Sequence, residues 1–298
     1  MADKLYGCIE AGGTKFVLGI GRAPDLIVRQ HRLPTTSPAE TIAAAIHFFS
    51  GAEAEFGPFA AFGIGSFGPA DVDPKSPAWG SIAQTPKPGW SGTPLAEPFS
   101  GRFGCPVGFD TDVNAAVLAE HRWGAANGAD VATYVTVGTG IGGGAIVAGR
   151  LVHGARHPEM GHGLPARHPD DLSFAGICPF HGACLEGLAS GPAIHARWGS
   201  SLSDLPADHP AHGIVAFYLA QLVLWQQAIL SPARIVFGGG VLDTPGLVDR
   251  IRRAADRLAN GYFGMSGAEY DALVVPSALG GRAGLLGALA LATAAAPA

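Results

Sequence analysis

Apolar residues recur with two different spacings along the first part of the chain, one typical of strands and the other of helices. Residues 5–20 are two apolar runs separated by a glycine-rich turn, the pattern of a β-hairpin, and residues 26–32 predict a further strand. Apolar residues then recur at helical spacing over residues 38–56, with Ser37 placed to cap the helix. Residues 62–69 predict a strand that ends in a loop. These elements together predict an α/β unit that begins with a hairpin.

The same order of elements begins again further along the chain. Residues 132–147 repeat the strand, glycine turn and strand of residues 5–20, and the next long helix has its apolar face over residues 214–229. The later elements predicted are a strand at 233–237, a helix at 247–258, a strand at 272–276 and a last helix after Gly281. The repetition predicts a duplicated α/β fold with a central cleft. We expect a first domain of residues 1–117, against which the last helix packs, and a second of residues 118–298.

One stretch of the first domain has little periodicity. Residues 70–104 are rich in Pro, Gly and Trp. Large aromatic side chains such as Trp79 and Trp90 need a surface to pack on. We therefore expect ordered loops and short strands in this stretch rather than a linker.

Composition excludes several classes of protein. Of the 298 residues, 48% are hydrophobic and only 14% are charged, with a formal net charge of −5. Such a chain offers no basic surface to a nucleic acid. The N-terminus lacks the layout of a signal peptide. No apolar run reaches the roughly 18 uncharged residues expected of a membrane helix, and the longest candidate, residues 283–298, is too short. We expect a cytoplasmic protein with neither a nucleic acid nor a membrane as partner.

Three glycine clusters follow predicted strands, at residues 12–13, 138–144 and 238–240. Consecutive backbone N–H groups in such turns bind phosphate, so three turns suit the phosphates and the adenosine of a nucleotide. No Gly-x-x-x-x-Gly-Lys-Ser/Thr sequence occurs, which excludes a P-loop. Residues 138–143 match Gly-x-Gly-x-x-Gly, but residues 144–147 predict a strand where a dinucleotide site requires a helix.

Thiol and imidazole side chains are concentrated in one segment of the second domain. Cys178, His181 and Cys184 are spaced three residues apart, so one tight turn can direct all three inward, and His162 would complete a tetrahedral zinc site. Four protein ligands leave no position for water, so such a site is structural. Three other histidines compete with His162 for the fourth position: His153, His157 and His168.

Carboxylates beside these ligands and at one strand end are candidates for the chemistry. Glu159 and Glu186 lie within three residues of metal ligands, which would hold the two acids in fixed relation to grip the hydroxyls of a polyol. Asp112 follows a predicted strand and precedes a helix, which suits a general base in phosphoryl transfer to an alcohol. Asp110 competes for this role, and we expect Asn114 to cap the helix.

Together these motifs resemble the ROK family of bacterial sugar kinases, which has the actin/hexokinase-like (ribonuclease H-like) fold. The segments that carry the resemblance are Glu10–Lys15, Thr111–Asn114, Gly138–Gly143, Glu159–His162 and Cys184–Glu186. Within the family the chain is most similar to bacterial zinc-containing fructokinases. The features behind this are Glu10, Asp110–Asp112, Thr85–Trp90 and Cys178–His181.

The resemblance implies a role for each group of residues. Asp112 would be the catalytic base. The sugar would be bound by Gly68, Pro69, Thr111, Glu159, His162 and Glu186. The nucleotide would be bound by Gly12, Gly13, Thr14, Lys15, Gly138, Thr139, Gly140, Gly238, Gly239 and Gly240. The structural zinc would be held by His162, Cys178, His181 and Cys184.

The activity implied is phosphorylation of a hexose at its 6-hydroxyl by ATP with Mg²⁺, with D-fructose as substrate and a homodimer as the assembly. Kinases for mannose, glucose or N-acetylmannosamine are the alternatives. A sugar-responsive repressor or sensor is disfavoured, because the first strand begins at about residue 5 with no helix-turn-helix before it. Glu10 and Thr111 replace the usual Asp and Asn. We further expect zinc to order Glu159 and Glu186 without affecting nucleotide binding.

Overall fold

A computed structural model describes residues 4–297, and this part of the chain forms ten strands and nine α-helices. The strands are β1 (Leu5–Ala11), β2 (Lys15–Ala23), β3 (Leu26–Pro34), β4 (Phe59–Ser66), β5 (Val107–Thr111), β6 (Val131–Val137), β7 (Ile141–Val147), β8 (Arg150–Leu151), β9 (Arg234–Gly238) and β10 (Val274–Pro276). The helices are α1 (Pro38–Phe56), α2 (Ala96–Phe103), α3 (Asp112–Trp123), α4 (Leu185–Ala189), α5 (Gly191–Trp198), α6 (Ala211–Leu230), α7 (Leu247–Ala259), α8 (Gly267–Leu273) and α9 (Ala283–Ala295).

The chain divides into two compact units, each assembled from separate segments. The first unit contains the described residues up to Trp123, the segment His153–His157 and the described residues from Arg282 onward. The second unit contains Gly124–Val152 and Pro158–Gly281. The boundary proposed from the sequence, after residue 117, falls inside α3, whereas the units divide at the end of that helix.

The sheet of the first unit has the strand order β3-β2-β1-β4-β5. Strands β1, β2 and β3 are antiparallel neighbours, as the hairpin pattern predicted, and β4 and β5 continue the sheet in parallel with β1. The parallel strands end in register, because Ala11 pairs with Ser66 and Ser66 pairs with Thr111. Chemistry that follows β1, β4 and β5 in the sequence is therefore collected along one edge of this sheet.

The sheet of the second unit has the order β10-β9-β6-β7-β8. Strands β6 and β7 form the predicted antiparallel hairpin, and β9 lies parallel to β6 on the other side. Thr136 near the end of β6 pairs with Gly238 at the end of β9. The glycine turns that follow these two strands are thereby placed next to each other. The duplicated α/β fold expected from the sequence is confirmed in each unit.

Aromatic side chains fill the core of the first unit. Phe49 of α1 contacts Phe59, Phe62 and Phe99 edge-on, with ring centroids 4.9–6.1 Å apart, the arrangement that aromatic quadrupoles favour. Trp90 is completely buried in the same core, where its ring contacts Phe16, and it donates its indole N–H to the carbonyl oxygen of Thr36 at 2.9 Å. The stretch around Trp90 is therefore ordered, as its aromatic content predicted.

Helix α9 lies directly on the sheet of the first unit, with its backbone against two glycines. A Cβ atom on Gly63 would lie 1.8 Å from the carbonyl oxygen of Ala288, and one on Gly108 would lie 2.5 Å from that of Leu291. Only residues without a side chain permit so close an approach. The helix is apolar on all sides and almost wholly buried, which requires cover on every face.

Helix α6 is the centre of the second core. Thirteen of its 20 residues are buried, and it packs against α4 and α7. It is also the one helix of residues 4–297 that is long and apolar enough to span a membrane by length and composition. The expectation that no apolar run reaches this length was wrong, because the run at Ala211–Leu230 was read only as an amphipathic helix. Its burial is that of a core helix.

Four helices were not predicted, namely α2, α4, α5 and α8. Helix α2 lies within the stretch assigned to loops, and its N-terminus has no side-chain cap to signal it. Helix α8 precedes the short strand β10, where a longer strand was expected. The sequence does contain a signal for this helix. The side chains of Ser266 and Glu269 each accept a hydrogen bond from the backbone N–H of the other residue, which is a capping box.

Candidate active site and metal centre

The junction between β5 and α3 carries the candidate base. The hydroxyl oxygen of Thr111 accepts a hydrogen bond from the N–H of Asn114 at 3.2 Å, so Thr111 caps the helix. The prediction that Asn114 is the cap was wrong, since α3 begins at Asp112 and Asn114 is completely buried inside it. Sequence reasoning missed that a threonine at the strand end can perform the same task one turn earlier.

Asp110 and Asp112 have different surroundings. Asp110 is 3% exposed, and its Oδ1 accepts hydrogen bonds from the N–H of Thr111 at 2.8 Å and from Nδ2 of Asn114 at 2.7 Å. Asp112 is partly exposed, and its Oδ1 accepts a hydrogen bond from the N–H of Val113 at 2.8 Å. The first turn of a helix favours a negative charge. Asp112 is thus the carboxylate of the two that presents a surface to a substrate.

His153 completes the environment of Asp110. Its Nε2 lies 2.8 Å from Oδ2 of Asp110 and 3.3 Å from Nδ2 of Asn114. The hydrogen bond with Asp110 raises the pKa of His153 from its usual value of 6.5, against the opposing effect of burial. This histidine was considered only as a metal ligand. A buried carboxylate beside the candidate base requires a hydrogen-bonding partner. This requirement was the sequence-based reason by which His153 could have been recognised as the partner of Asp110.

The segment His153–His157 is held to the first unit at both ends. The N–H of Ala70 donates a hydrogen bond to Nε2 of His157 at 3.0 Å, just after Gly68 and Pro69. The carbonyl oxygen of Pro69 in turn accepts a hydrogen bond from the N–H of Ala83 at 2.8 Å. The loop at Gly68–Pro69 is therefore fixed from two sides.

The first glycine turn joins β1 to β2. The N–H of Gly12 donates to the carbonyl oxygen of Lys15 at 3.0 Å, and a side chain on Gly13 would meet nothing within 4 Å. Glu10 precedes this turn and lies against Gly284 in the first turn of α9. Burial raises the pKa of Glu10, and the nearby Lys15 and Arg32 oppose this rise. The turn, with Thr14 and Lys15, leaves an open surface of backbone groups.

The second glycine turn joins β6 to β7 and is tied to α4 and α5. The N–H of Ile141 donates to Oε2 of Glu186 at 3.0 Å, and the N–H of Gly191 donates to the carbonyl oxygen of Gly138 at 2.8 Å. A Cβ atom on Gly140 would lie 2.6 Å from the same Glu186 oxygen. Glu186 and the turn of Gly138, Thr139 and Gly140 thus form one unit of structure.

The third glycine turn follows β9. Gly239 has a φ of 91°, and a Cβ atom there would lie 2.5 Å from the carbonyl oxygen of Val137. A glycine is required on both counts. The turn of Gly238, Gly239 and Gly240 is in this way packed against the end of β6, where the second turn begins. The structure brings these two predicted nucleotide turns together within the second unit.

The four predicted zinc ligands converge. One ligand atom from each of His162, Cys178, His181 and Cys184 lies within 4.8 Å of all the others. We refer to these four residues as the Cys/His cluster. The competing histidines are bonded elsewhere, since His153 and His157 are held in the first unit and Nδ1 of His168 accepts a hydrogen bond from the N–H of Asp170.

The spacing within the Cys/His cluster fits a tetrahedral ion. The Sγ atom of Cys184 is 3.6 Å from Nδ1 of His162, and that of Cys178 is 3.7 Å from Nδ1 of His181. Zinc–sulfur and zinc–nitrogen bonds of standard length at tetrahedral angles give a separation of about 3.5 Å. Burial raises the pKa of Cys184 to about 11, and a bound cation would favour its thiolate. The donor set and its dimensions fit a tetrahedral metal ion held by four protein ligands.

Two α/β units, each with an antiparallel hairpin closed by a glycine turn, define the class of actin/hexokinase-like kinases. The chain matches the ROK family over residues 6–295. It belongs to the ROK family.

Relatives and solved structures agree with this assignment. The chain is 51% identical to a fructokinase of Zymomonas mobilis subsp. mobilis, with 98% of this chain and 97% of that protein covered. It is 45% identical to a putative fructokinase of Bacillus subtilis, over 97% and 95% of the two chains. Among solved structures, a ROK hexokinase from Thermus thermophilus is similar, with a TM-score of 0.77, 28% identity and coverage of 97% and 98%. A ROK glucokinase from Streptomyces griseus in complex with glucose and AMPPNP has a TM-score of 0.71, 26% identity and coverage of 97% and 99%.

Proposed function

We propose that this protein is a fructokinase, which transfers the γ-phosphoryl group of ATP to the 6-hydroxyl of D-fructose. The observation that carries the proposal is the pair of contrasting aspartates at the end of β5. Asp110 is buried and fully engaged, whereas Asp112 is partly exposed in the first turn of α3. Full-length similarity to fructokinases at up to 51% identity supports fructose as the sugar.

In the proposed reaction, Asp112 accepts the proton of the 6-hydroxyl as its oxygen attacks the γ-phosphorus. The new oxygen–phosphorus bond forms while the bond from the γ-phosphorus to the bridging oxygen breaks, and ADP leaves with the electron pair. Backbone N–H groups of the turns at Gly12–Lys15 and Gly138–Gly140 would bind the phosphates, with the turn at Gly238–Gly240 beside the adenosine. Mg²⁺ bound to ATP would neutralise the charge on the phosphates.

The sugar would be gripped through its hydroxyls by acids and backbone groups. Oε2 of Glu186 already accepts the N–H of Ile141, which leaves Oε1 for a hydroxyl. The hydroxyl of Thr111 accepts one hydrogen bond from the Asn114 N–H, so its O–H can donate to a sugar and its second lone pair can accept from one. The other proposed sugar contacts are Gly68, Pro69, Glu159 and His162.

The Cys/His cluster would hold structural zinc, because all four protein ligands fill a tetrahedral shell. Metal analysis by mass spectrometry should find one zinc per chain, and Cys184→Ser should lose it. We also propose a cytoplasmic location, where ATP is available. The proposed homodimer is tested by sedimentation at equilibrium.

A panel of hexoses with ATP and Mg²⁺, read by ADP release, tests the function. Fructose should give the highest kcat/KM by about ten-fold or more, because one mispaired hydroxyl in a polar site costs about 1–3 kcal/mol. A preference for glucose, mannose or N-acetylmannosamine would redirect the assignment within sugar kinases. Absence of ADP release with every sugar would reject kinase activity. Asp112→Asn provides the background rate.

A further inference from the structure

The Cys/His cluster and the second glycine turn are connected through the backbone of one residue, Ile141. The N–H of Ile141 donates to Oε2 of Glu186 at 3.0 Å, and Glu186 is two residues from the cluster ligand Cys184. The carbonyl oxygen of Ile141 faces Gly161, where a Cβ atom would lie only 1.9 Å away. Gly161 is adjacent to His162, the ligand at the other end of the cluster.

Two further contacts join the segment that carries the Cys/His cluster to β7 and join the two ends of that segment to each other. The side chain of Met160 packs on Gly143 of β7, where a Cβ atom would lie 2.5 Å from its sulfur. The N–H of Leu185 donates to the carbonyl oxygen of Gly163 at 2.9 Å, which joins the two ends of the segment that carries the cluster. A change at the cluster would therefore reach both the N–H group and the carbonyl group of Ile141 within two residues.

We propose that metal binding at the Cys/His cluster controls nucleotide binding, and that the Glu186–Ile141 hydrogen bond transmits the effect. With the cluster loaded, Cys184 fixes the start of α4 and hence the carboxylate that holds the Ile141 N–H. Without metal, this acid would have to be ordered at each binding event, at an entropic cost that weakens nucleotide binding. The inference rests on the proposed nucleotide role of the turn at Gly138–Gly140.

This coupling differs from the independence expected from the sequence, where zinc served the sugar site alone. Spacing in the sequence placed Glu159 and Glu186 beside metal ligands, but gave no indication that Glu186 contacts the glycine turn 45 residues away. Glu186 acts in this proposal as a positioning residue for the turn, in addition to its proposed contact with the sugar.

A thermodynamic cycle tests the coupling. The dissociation constant of ADP is measured calorimetrically, without sugar, for the wild type and Glu186→Ala, each zinc-loaded and zinc-stripped, with metal content determined. Stripping should weaken ADP binding of the wild type by about ten-fold, the scale of a hydrogen bond to a charged group. In Glu186→Ala the loaded protein should already bind ADP weakly, and stripping should change the constant by less than about two-fold.

Two further variants separate positioning from a general loss of structure. Glu186→Gln keeps an oxygen that can accept the Ile141 N–H, so it should retain ADP affinity in the loaded protein. Asp170→Ala removes an acid that is 83% exposed in the same segment, and it should leave both ADP affinity and its zinc dependence unchanged. If the stripped wild type unfolds by circular dichroism, the contrast between Glu186→Ala and Glu186→Gln in the loaded protein decides the question.

The outcomes are distinguishable from those that test the enzyme's activity. Additive effects of stripping and Glu186→Ala, with normal ADP binding by the loaded wild type, would overturn the coupling and leave the proposed kinase intact. Equal ADP affinity in all four states would do the same. Failure of the loaded wild type to bind ADP would reject the nucleotide site itself. If the coupling holds, ADP must also slow zinc loss to a chromophoric chelator, because linkage between binding sites is reciprocal.

Discussion

The Nε2 atom of His153 lies 2.8 Å from Oδ2 of Asp110, so the histidine pairs with a side chain that is only 5% exposed. This pair is formed by residues 43 positions apart, and it engages Oδ2 of Asp110, whereas Thr111 and Asn114 donate to Oδ1. The neighbouring Asp112 is the more exposed carboxylate of the two. Asp110 thus has a structural role, and Asp112 is the aspartate with the proposed catalytic role.

The His153–Asp110 pair predicts a pH dependence of stability. Because the folded-state pKa of His153 is raised above 6.5, the pair stabilises the fold fully below that pH. Its contribution is lost as the pH rises from 6.5 through the folded-state pKa. An NMR titration should show the elevated pKa, and Asp110→Asn should return it toward 6.5. An unchanged pKa in that variant would mean that another group holds the imidazolium.

Asp112→Asn should nearly abolish phosphoryl transfer while sugar binding persists. The amide retains the shape of the side chain and can still accept the Val113 N–H, but it cannot take the proton of the attacking hydroxyl. Loss of a general base typically lowers kcat by about 10²–10⁴-fold. Single-turnover rates and calorimetric fructose binding check the two halves of the statement. A near-normal rate would remove Asp112 from the reaction.

Gly140 and Gly138 offer a matched pair of substitutions in the second turn. A Cβ atom on Gly140 would lie 2.6 Å from Oε2 of Glu186, whereas one on Gly138 would meet nothing within 4 Å. Gly140→Ala should displace the carboxylate from Ile141, lower the melting temperature and weaken ADP binding by about ten-fold. Gly138→Ala should have the melting temperature of the wild type. A loss of ADP affinity in that variant would therefore come from contact between the added methyl group and ADP, and not from a loss of stability. Equal melting temperatures for both variants would contradict the close approach at Gly140.

Substitution of two adjacent residues, Asp170 and Asp171, tests what holds the segment that carries the Cys/His cluster in place. Asp171 is 4% exposed, and its Oδ2 lies 3.0 Å from Nη1 of the buried Arg197 and accepts the hydroxyl of Tyr218 at 2.7 Å. Burial lowers the pKa of Arg197, and breaking such a pair leaves a charge uncompensated. Asp171→Ala should cost about 3–5 kcal/mol of unfolding free energy in urea, against less than about 0.5 kcal/mol for the exposed Asp170→Ala. Similar values for the two variants would show that the pair does not brace the segment.

Local patterns explain what the sequence predicted well. Both hairpins and the helix at Pro38–Phe56 were recovered, because period-two and period-3.6 spacing is written into consecutive residues. The Cys/His cluster was also recoverable, since three of its members lie within seven residues and form their own turn. What is encoded within one element or one turn could be read without the fold.

Contacts between distant residues account for what could not be predicted. The bond between Glu186 and Ile141 depends on how α4 packs beside β7, which no local spacing reveals. The assignment of Asn114 as a cap failed because Thr111 caps α3, while the buried amide of Asn114 bonds to Asp110 and lies beside His153, which is 39 residues away in the sequence. Tertiary contacts overrode local preference in both cases, as is common where polar groups are buried.

The position of α9 in the sequence sets the order in which the protein can be completed on the ribosome. The second unit has all its residues once Gly281 has been made, whereas the first unit still lacks the helix that covers Gly63 and Gly108. The face of β1, β4 and β5 that α9 covers stays exposed until residues 283–295 have emerged. The unit that begins translation first therefore finishes folding last, and the nascent chain is a natural client for chaperones during that interval.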